Sequence, residues 1–339
     1  MRRSRVTIRD VARRAGVSVA TVSRVYTGRG PVHESTRTRV VAAARELRYT
    51  PDAAARSLIT RRTETLGVLL PDLYGEFFSE LIRGVDRTAR QHDYHLLVSG
   101  CHAGPGELGG ALRAMRGSVD GLVVLWPELD VGGLTADLPE HLPVVLLSAA
   151  GHTAYESIAV DNYGGARAIV EHLLARGHRR IATIAGAERN GEARERLRGY
   201  RDALRGAGIR PRADWEVIGH FTEDGGHAAA QRLLALAERP GAIFAANDSM
   251  AIGAMSALAD AGLRIPDDVA VAGFDDVPIA RYTSPPLSTV HVPIQELGAR
   301  AVDRLLHTIA GGNRQPRSHE TLATTLVVRG SCGANTATA

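Results

Sequence analysis

A short segment near the N terminus sets apolar residues among hydroxyl side chains and ends on Arg24. An arginine can donate two parallel hydrogen bonds, and guanine presents two matching acceptors, O6 and N7, in the major groove of DNA. Val19 and Ala20 are short and apolar, so they suit contact with a thymine methyl group, whereas Thr21 and Ser23 suit phosphate oxygens. The segment therefore carries side chains for both base and phosphate contacts.

A second group of residues, spread over the rest of the chain, combines aromatic rings with polar side chains. An aromatic ring packs against the apolar face of a sugar, while Asp, Asn and Arg bond neighbouring hydroxyl groups. Aromatic residues make up only 4% of the chain, so their occurrence just after predicted strands is informative. The residues that we expect to bind a small molecule are Phe77, Phe78, Asp161, Arg196, Phe221, Asn247 and Asp275.

Several of these residues also have a purely structural interpretation. The two phenylalanines could belong to the core at the start of a helix. Asn247 could serve only as a helix cap, and Asp275 could cap a turn. Arg196 could form a surface ion pair with Glu192. The sequence leaves both interpretations open.

The elements that carry the first group are three predicted helices, with a tight turn between the first two. Thr7 is a candidate N-cap, with Asp10 in the capping-box position. Gly16 suits the left-handed end of this helix, Ser18 caps the second, and a third runs from about Glu34 to Arg48. In a helix-turn-helix the second helix enters the major groove, so we expect Thr7 and Ser18 to contact DNA too. The predicted core side chains are Ile8, Val11, Ala12, Ala15, Val22, Val25, Val40, Val41, Ala44 and Leu47.

Charge is concentrated in the same part of the chain. Residues 1–62 carry 15 arginines against four acidic residues, although the net charge of the whole chain is only +4. A basic head on an acidic body is typical of a polyanion-binding module joined to another domain. All 41 basic residues are arginine, which excludes a Walker-type phosphate loop, a Schiff-base lysine and a pyridoxal-phosphate anchor.

Beyond Glu64 short β-rich runs alternate with amphipathic helices, a pattern typical of parallel sheets with helices on both faces. About nine strands fit two sheets better than one. The predicted strands are Leu66–Leu70, His95–Ser99, Gly121–Leu125, Val144–Leu147, Ile181–Ala185, Val217–Ile218, Ala242–Ala245, Val269–Gly273 and Ser288–Val290. The predicted helices are Phe77–His92, Gly164–Arg176, Glu192–Ala207, Gly225–Leu236, Ser249–Ala261 and Ile294–Ile309.

The composition argues against several other classes. Cys101 and Cys332 are too few for a disulfide framework or a structural zinc site, and we expect neither a cofactor nor a metal. No apolar run suits a membrane span and no secretory signal is expected, which predicts a cytoplasmic protein. Cys101 and His102 would point to opposite faces of a strand. Hydrolase and dinucleotide-binding signatures are missing, so the sequence predicts no enzyme.

Residues Thr7–Leu58 resemble the DNA-binding headpiece of the LacI/GalR family of bacterial repressors. The matching blocks are Asp10-Val11-Ala12, Ala15-Gly16-Val17-Ser18, Thr21-Val22-Ser23-Arg24, Thr36-Arg37, Leu47-Arg48-Tyr49-Thr50-Pro51 and Ala55-Arg56-Ser57-Leu58. The resemblance implies a hinge helix after Pro51, which pairs in the minor groove with the hinge of a second subunit. It also implies that Leu58 is wedged between base pairs, and it adds Ala55 to the DNA contacts.

The rest of the chain resembles the periplasmic sugar-binding-protein fold. The predicted fold is thus an N-terminal all-α helix-turn-helix headpiece plus an α/β two-lobed domain with parallel sheets. The predicted ranges are 1–50 for the headpiece, 51–63 for the hinge helix and linker, and 64–339 for the effector-binding and dimerisation domain. Within that domain, the N-lobe comprises about 64–160 and 292–322, and the C-lobe about 163–290 and 323–331.

The family pattern is broken near the expected ligand site. Gly75-Glu76 stands where Asn-Pro is common, and Ser148 stands where an acidic residue is common. The predicted function is a dimeric repressor of carbohydrate-related genes, which binds palindromic operator DNA and responds to a sugar or sugar derivative. Two alternatives stay open: a purine- or nucleoside-responsive regulator, and a sugar-binding protein with a DNA-bending head.

Overall fold

The structure, a computed structural model, describes residues 6–28, 30–50, 62–101, 105–126, 142–148, 155–311 and 318–333. It forms two compact units. One comprises the described residues up to Thr65 together with Gly117–Asp120, and the other comprises the remaining described residues. Ala55 and Leu58, and with them most of the predicted hinge, lie outside the described residues.

The first unit contains three helices: α1 (Ile8–Ala15), α2 (Val19–Thr27) and α3 (Glu34–Glu46). The Asp10 carboxylate accepts hydrogen bonds from the backbone N–H and the hydroxyl of Thr7, at 2.9 and 2.7 Å. Gly16 ends α1 in the left-handed conformation, with φ of 65°. The predicted capping at both ends of α1 is therefore confirmed.

The core of this unit is made of small apolar side chains. The buried ones are Val11, Ala12, Ala15, Val22, Val25, Val40, Ala43 and Ala44. Ile8, Val41 and Leu47 are only partly buried and pack against this core. The prediction omitted Ala43, which with Val40 and Ala44 completes a stripe at helical spacing. Leu47 lies at the cap of α3, beyond its last turn.

The remaining elements alternate strand and helix over most of their length. The strands are β1 (Thr65–Leu70), β2 (His95–Gly100), β3 (Gly121–Leu125), β4 (Val144–Leu147), β5 (Glu156–Val160), β6 (Ile181–Ala185), β7 (Glu216–Ile218), β8 (Ala242–Ala245), β9 (Ala270–Ala272), β10 (Thr289–His291), β11 (His319–Leu322) and β12 (Thr325–Val327). The helices are α4 (Glu76–Gln91), α5 (Pro105–Met115), α6 (Asn162–Ala175), α7 (Gly191–Gly206), α8 (Glu223–Leu234), α9 (Asp248–Asp260) and α10 (Ile294–Ile309). None of the helices in the described ranges is long and apolar enough to cross a membrane.

The strands form two larger sheets and a short ribbon. One sheet has the order β11-β5-β4-β3-β1-β2, and the other has the order β7-β6-β8-β9. The registered pairs of both sheets run parallel, whereas β10 and β12 pair antiparallel. Parallel sheets with alternating helices confirm the predicted α/β class. The prediction of about nine strands in two sheets is wrong in number, because it missed β5, β11 and β12, and with β12 the two-stranded ribbon.

Two of the missed strands, β11 and β12, lack a strong apolar pattern, whereas β5 was missed although four of its five residues are buried. In β11 only Leu322 is buried, and β12 has no buried residue. Helix α5 contains several glycines, which lower helix propensity. The run predicted as strand Ser288–Val290 is shifted by one residue, and Val269–Gly273 is shortened to Ala270–Ala272.

The chain passes between the two larger sheets three times. It leaves the six-stranded sheet after β5, returns through β10 into α10, and leaves again between β11 and β12. Helix α10 packs against α4, β3 and β4, on the six-stranded sheet. Because β10 and β12 pair with each other, two of these three passages are joined by backbone hydrogen bonds.

Candidate functional site

One face of α2 presents the residues predicted to read DNA bases. The Ser18 hydroxyl oxygen accepts a hydrogen bond from the backbone N–H of Thr21 at 3.1 Å, so it caps the helix. Val19 is 42% exposed, and Ala20 and Arg24 are exposed as well. The opposite face of α2 is buried in the core of its unit. The helix therefore offers an outward surface with short side chains and one arginine.

The other predicted DNA contacts are less free to bind. Thr21 and Ser23 are half-buried, and the hydroxyl of Thr21 lies 2.9 Å from that of Ser18. Thr7 is exposed at the start of α1, where its hydroxyl donates to Asp10 at 2.7 Å. A hydroxyl carries one proton, so Thr7 can donate to a phosphate only by giving up this bond.

The second unit contains a cavity of about 460 Å³, lined by residues that follow the strands of both parallel sheets. Ligands bind at this edge of open α/β sheets. Six of the seven residues predicted to bind a small molecule line the cavity: Phe77, Phe78, Arg196, Phe221, Asn247 and Asp275. Residues that are distant in sequence are thus brought to one place.

Asp161 is the exception, because it does not line the cavity. Its side chain is exposed and accepts a hydrogen bond from the backbone N–H of Gly164 at 2.8 Å, which caps α6. The next residue, Asn162, turns inward instead and is only 6% exposed. Its Oδ1 accepts a hydrogen bond from Nε of Arg196 at 2.7 Å. The prediction is therefore off by one residue: Asp161 caps α6, and it is Asn162 that supports Arg196 beside the cavity.

Arg196 is the centre of a buried polar network. Its side chain is 4% exposed, and its Nη1 donates to the backbone carbonyl of Ala246 at 2.5 Å in addition to the bond from Nε to Asn162. Its acidic partner is Asp275, with Nη1 and Oδ1 3.2 Å apart. The alternative of a surface pair with Glu192 is therefore wrong, because burial lets Arg196 reach the interior acid.

Asp275 is the buried acid of the cavity. Burial is the main cause that raises the pKa of Asp275 to about 7, while Arg196 opposes the shift and Glu192 adds to it. No aligned hydrogen bond reaches its buried Oδ1 from the described residues, although Nη1 of Arg196 lies 3.2 Å away. This oxygen is therefore an acceptor that a ligand hydroxyl can satisfy.

A second buried aspartate fastens the loop that carries Asp275. Asp248 has no exposed surface and lies at the start of α9. It accepts hydrogen bonds from the hydroxyl of Thr289 at 2.6 Å and from the backbone N–H of Val277 at 2.9 Å. Burial raises the pKa of Asp248 well above its usual range, and the charge of Asp275 adds to the effect. The loop is thus held against α9 and β10.

The neighbouring Asp276 binds the strands that connect the two sheets. Its carboxylate accepts a hydrogen bond from Nη2 of Arg329 at 2.5 Å and lies 3.0 Å from Nδ1 of His291. His291 ends β10, and Arg329 follows β12. Asp275 and Asp276 have φ of 110° and 56°, which side-chain-bearing residues rarely adopt except at constrained positions.

Three phenylalanines supply apolar surfaces in the cavity. Phe77 and Phe78, at the start of α4, meet edge to face with ring centroids 5.6 Å apart. The ring of Phe221 lies so close to Gly186 that a Cβ there would approach it to 2.2 Å. Only glycine therefore lets Phe221 occupy this position.

Asn247 serves both of the roles considered for it. Its Oδ1 accepts a hydrogen bond from the backbone N–H of Met250 at 2.9 Å and caps α9, while its Nδ2 donates to the carbonyl of Phe221 at 3.1 Å. It also lines the cavity. The structural interpretation is correct and does not exclude the functional one.

Two hydrogen bonds join the six-stranded sheet's side of the cavity to the other side. The hydroxyl of Ser148 donates to Oε1 of Glu192 at 2.5 Å, and the backbone N–H of Ile279 donates to Oε2 of Glu76 at 3.0 Å. Both contacts involve a position where the sequence departs from the LacI/GalR pattern, Ser148 in one and Glu76 in the other. The departures therefore coincide with the contacts across the cavity.

Other lining residues were absent from the prediction. They include Asp72, Tyr74, Glu76, Cys101, Trp126, Asn190, Glu192, His220 and Ser249. Most follow a strand within a few positions, so the strand-end rule applied to longer segments would have found them. Within the described residues, no group of three or more His, Cys, Asp and Glu could hold a metal ion.

Comparison with known proteins covers both parts of the chain. Residues 7–52 match the model of bacterial regulatory proteins of the lacI family, and residues 170–332 match a periplasmic binding protein-like domain. The chain is 38% identical over 330 residues to the ribose operon repressor of Escherichia coli (strain K12), covering 96% of this chain and 99% of that protein. It is 35% identical over 330 residues to the HTH-type transcriptional repressor PurR of Photobacterium profundum, covering 96% and 98%. A structure of the Lac repressor dimer bound to operator and the anti-inducer ONPF matches with a TM-score of 0.88 and 32% identity, covering 97% of this chain and 99% of the other.

Proposed function

The chain belongs to the lacI family of bacterial regulatory proteins, and on that premise we propose that it is a homodimeric repressor controlled by a sugar-type effector. It is a ligand-responsive, DNA-binding transcription regulator. The proposed dimer is supported by the Lac repressor, which binds its operator as a dimer, and by the small surface that a single headpiece can bury on DNA. We place its action in the cytoplasm, on operator DNA.

The observation that carries the effector class is the buried acceptor on Asp275 beside aromatic surfaces. Its Oδ1 lacks an aligned donor among the described residues, and phenylalanine rings line the same cavity. A polyhydroxyl ring can donate to the carboxylate and lay an apolar face on an aromatic ring. Because a relative with 38% identity is a ribose operon repressor, D-ribose is the first candidate.

Thermal unfolding of the full chain in the presence of candidate ligands tests this proposal. A ligand at about 100 times its dissociation constant stabilises the protein by roughly 2.7 kcal/mol. We expect D-ribose or a related pentose to raise the melting temperature, and Asp275→Asn to remove the rise. If no sugar shifts the transition of the parent protein, the sugar-type effector is wrong.

A purine or nucleoside effector is the second candidate. A relative with 35% identity is named a PurR repressor, and a flat base can stack on the same phenylalanine rings. The same thermal measurement with hypoxanthine, guanine and cytidine separates the two classes. If only a purine raises the melting temperature, the effector is of the purine class, and the proposal of a ligand-responsive repressor still holds.

For DNA, we propose that Val19, Ala20 and Arg24 read bases and that the hydroxyl groups of four other residues contact phosphates: Thr7, Ser18, Thr21 and Ser23. The support is the outward position of the three base-reading side chains on α2. We expect Arg24→Ala to cost about 1–3 kcal/mol at one base pair and to relax the preference there. Binding to a duplex selected from a random library, and to its single-base variants, measures this loss.

A matched control removes the same charge elsewhere in the unit. Arg45 is exposed in the last turn of α3, so Arg45→Ala should weaken binding to all sequences alike. An Arg24→Ala protein with the parent's base preference would refute the base-reading role.

The hinge is proposed on the sequence alone. Leu58 is assigned the wedge between base pairs, with Ala55 in contact with the minor groove. Leu58→Ala should lower operator affinity and leave effector affinity unchanged. Equal operator affinity of the two proteins, measured by fluorescence anisotropy, would remove the wedge from the proposal.

A further inference from the structure

We propose that the cavity selects uncharged effectors and rejects phosphorylated ones, with Glu192 as the residue that sets this specificity. The inference rests on the proposed function, in which the effector enters this cavity. It concerns which sugars or nucleosides can bind, and the sequence alone does not address it.

The charges that line the cavity are unbalanced. Its acidic lining residues are Asp72, Glu76, Glu192 and Asp275, whereas Arg196 is the single arginine among its described lining residues. Lysine is absent from the whole chain. Histidine is thus the other source of positive charge, and His220 lines the cavity.

Arg196 is already committed to protein partners. Its Nε and Nη1 donate to Asn162 and Ala246, and the guanidinium lies over the ring of Phe274 at 3.9 Å from the centroid. Its charge is offset by Asp275 at 3.2 Å. An anion that approached Arg196 would therefore find two of its N–H donors in use and the Asp275 carboxyl group next to it.

Glu192 has a neutral hydrogen-bond partner at the cavity. Its Oε1 accepts a hydrogen bond from the neutral hydroxyl of Ser148 at 2.5 Å, and none of the described ion pairs includes it. The negative field of Glu192 also reaches Asp275, where it raises the pKa of that carboxyl. A carboxylate that disfavours a second negative charge inside the cavity will also disfavour a phosphate group.

Glu76 contributes to the same field from the other side. It accepts a hydrogen bond from the backbone N–H of Ile279 at 3.0 Å, a partner without net charge. A phosphate monoester carries close to two negative charges at neutral pH, so both glutamates repel it. A free sugar or a nucleoside carries none and meets no such barrier.

Isothermal titration of the full-length protein with matched pairs tests the inference. The pairs are D-ribose with D-ribose 5-phosphate, and adenosine with adenosine 5′-monophosphate. We expect the neutral member of the pair that binds to have at least about 100-fold higher affinity than its phosphate. Glu192→Gln can keep the hydrogen bond to Ser148. It should lower the ratio of the two affinities, neutral over phosphorylated, by at least about tenfold.

Glu195→Gln is the matched control. Glu195 lies on the same helix with 47% of its side chain exposed and is paired with Arg198, so its replacement should leave this ratio unchanged. A phosphorylated member that binds as tightly as its neutral partner, and loses affinity in Asp275→Asn, would overturn the selectivity while keeping the effector site. If Glu192→Gln and Glu195→Gln change the ratio of the two affinities equally, Glu192 does not set the specificity.

Failure of the proposed function has a different signature. If no member of either pair, and no sugar or purine of the thermal panel, binds the parent protein, both proposed effector classes are wrong and the inference falls with them.

Discussion

The headpiece and the cavity place their functional residues in opposite ways. In the headpiece, the helix cap, the turn and the exposed face of α2 lie within a short stretch of chain, and each is fixed by neighbours a few residues away. In the cavity, the lining residues come from Pro71 to Val277 and meet only after two sheets have formed. Local signals therefore specify the first site, and long-range packing specifies the second.

The two regions also differ in what their cores contain. The headpiece core consists of valine and alanine side chains. Beside the cavity, Arg196, Asp248 and Asp275 are each at most 4% exposed. Removing a partner from a buried charge costs more than trimming a small apolar side chain. We therefore expect the largest single-residue effects on stability near the cavity.

Arg196→Met should show the largest effect. It leaves the Asp275 carboxylate without its cation, together with the unpaired acceptors on Asn162 and Ala246, and should lower the free energy of unfolding by about 3–5 kcal/mol. Urea denaturation of the full chain measures this change. Arg194→Met is the control, because Arg194 is exposed and donates to backbone carbonyls on the surface. Equal losses in both variants would contradict the difference between buried and exposed charge.

Asp275→Asn should show a smaller effect that depends on pH. The pKa of Asp275 rises from an ordinary 3.8 to about 7 in the folded state, so between these values the folded protein holds a proton that the unfolded chain has lost. The stabilisation from this group is therefore greatest at low pH and is lost as the pH rises to about 7. The parent should lose its advantage over Asp275→Asn across this range in urea denaturation. An advantage that grows with pH would show that the carboxyl is charged when folded.

Ser18→Ala should show the smallest effect, confined to the headpiece. Loss of the cap on α2 should cost about 1 kcal/mol. Amide hydrogen exchange of Val19–Thr27 in the full chain detects this loss, and Ser18→Asp, which restores a capping oxygen, should recover the protection. Faster exchange in the sheets of the second unit would mean that the two regions are not independent.

The limits of the sequence prediction follow the same division. The capping of α1 and α2, the buried face of α2 and the exposed Arg24 follow from local patterns, and the structure confirms them. The prediction placed six cavity residues by the strand-end rule. It did not identify the polar partners, because the pairing of Arg196 with Asp275 depends on the approach of α7 to the loop after β9. No spacing in the sequence encodes that approach.

Two adjacent residues show that the sequence does not place a site residue to within one position. Asp161 and Asn162 are adjacent and chemically similar, yet one caps a helix in solvent and the other supports Arg196 in the interior. Their assignment depends on which way the first turn of α6 faces, and the apolar pattern of that helix does not set this to within one residue. Strand β12, the partner of β10 in the ribbon, escaped prediction for a different reason, since none of its three residues is buried.

The adjacent aspartates Asp275 and Asp276 place a cavity contact and a contact to the connecting strands on neighbouring residues. One carboxylate faces the cavity, and the other holds His291 and Arg329 on the segments that run between the two sheets. Consecutive Cα atoms are about 3.8 Å apart. A ligand hydrogen-bonded to Asp275 would therefore lie one residue away from the contacts that hold the two connecting strands together.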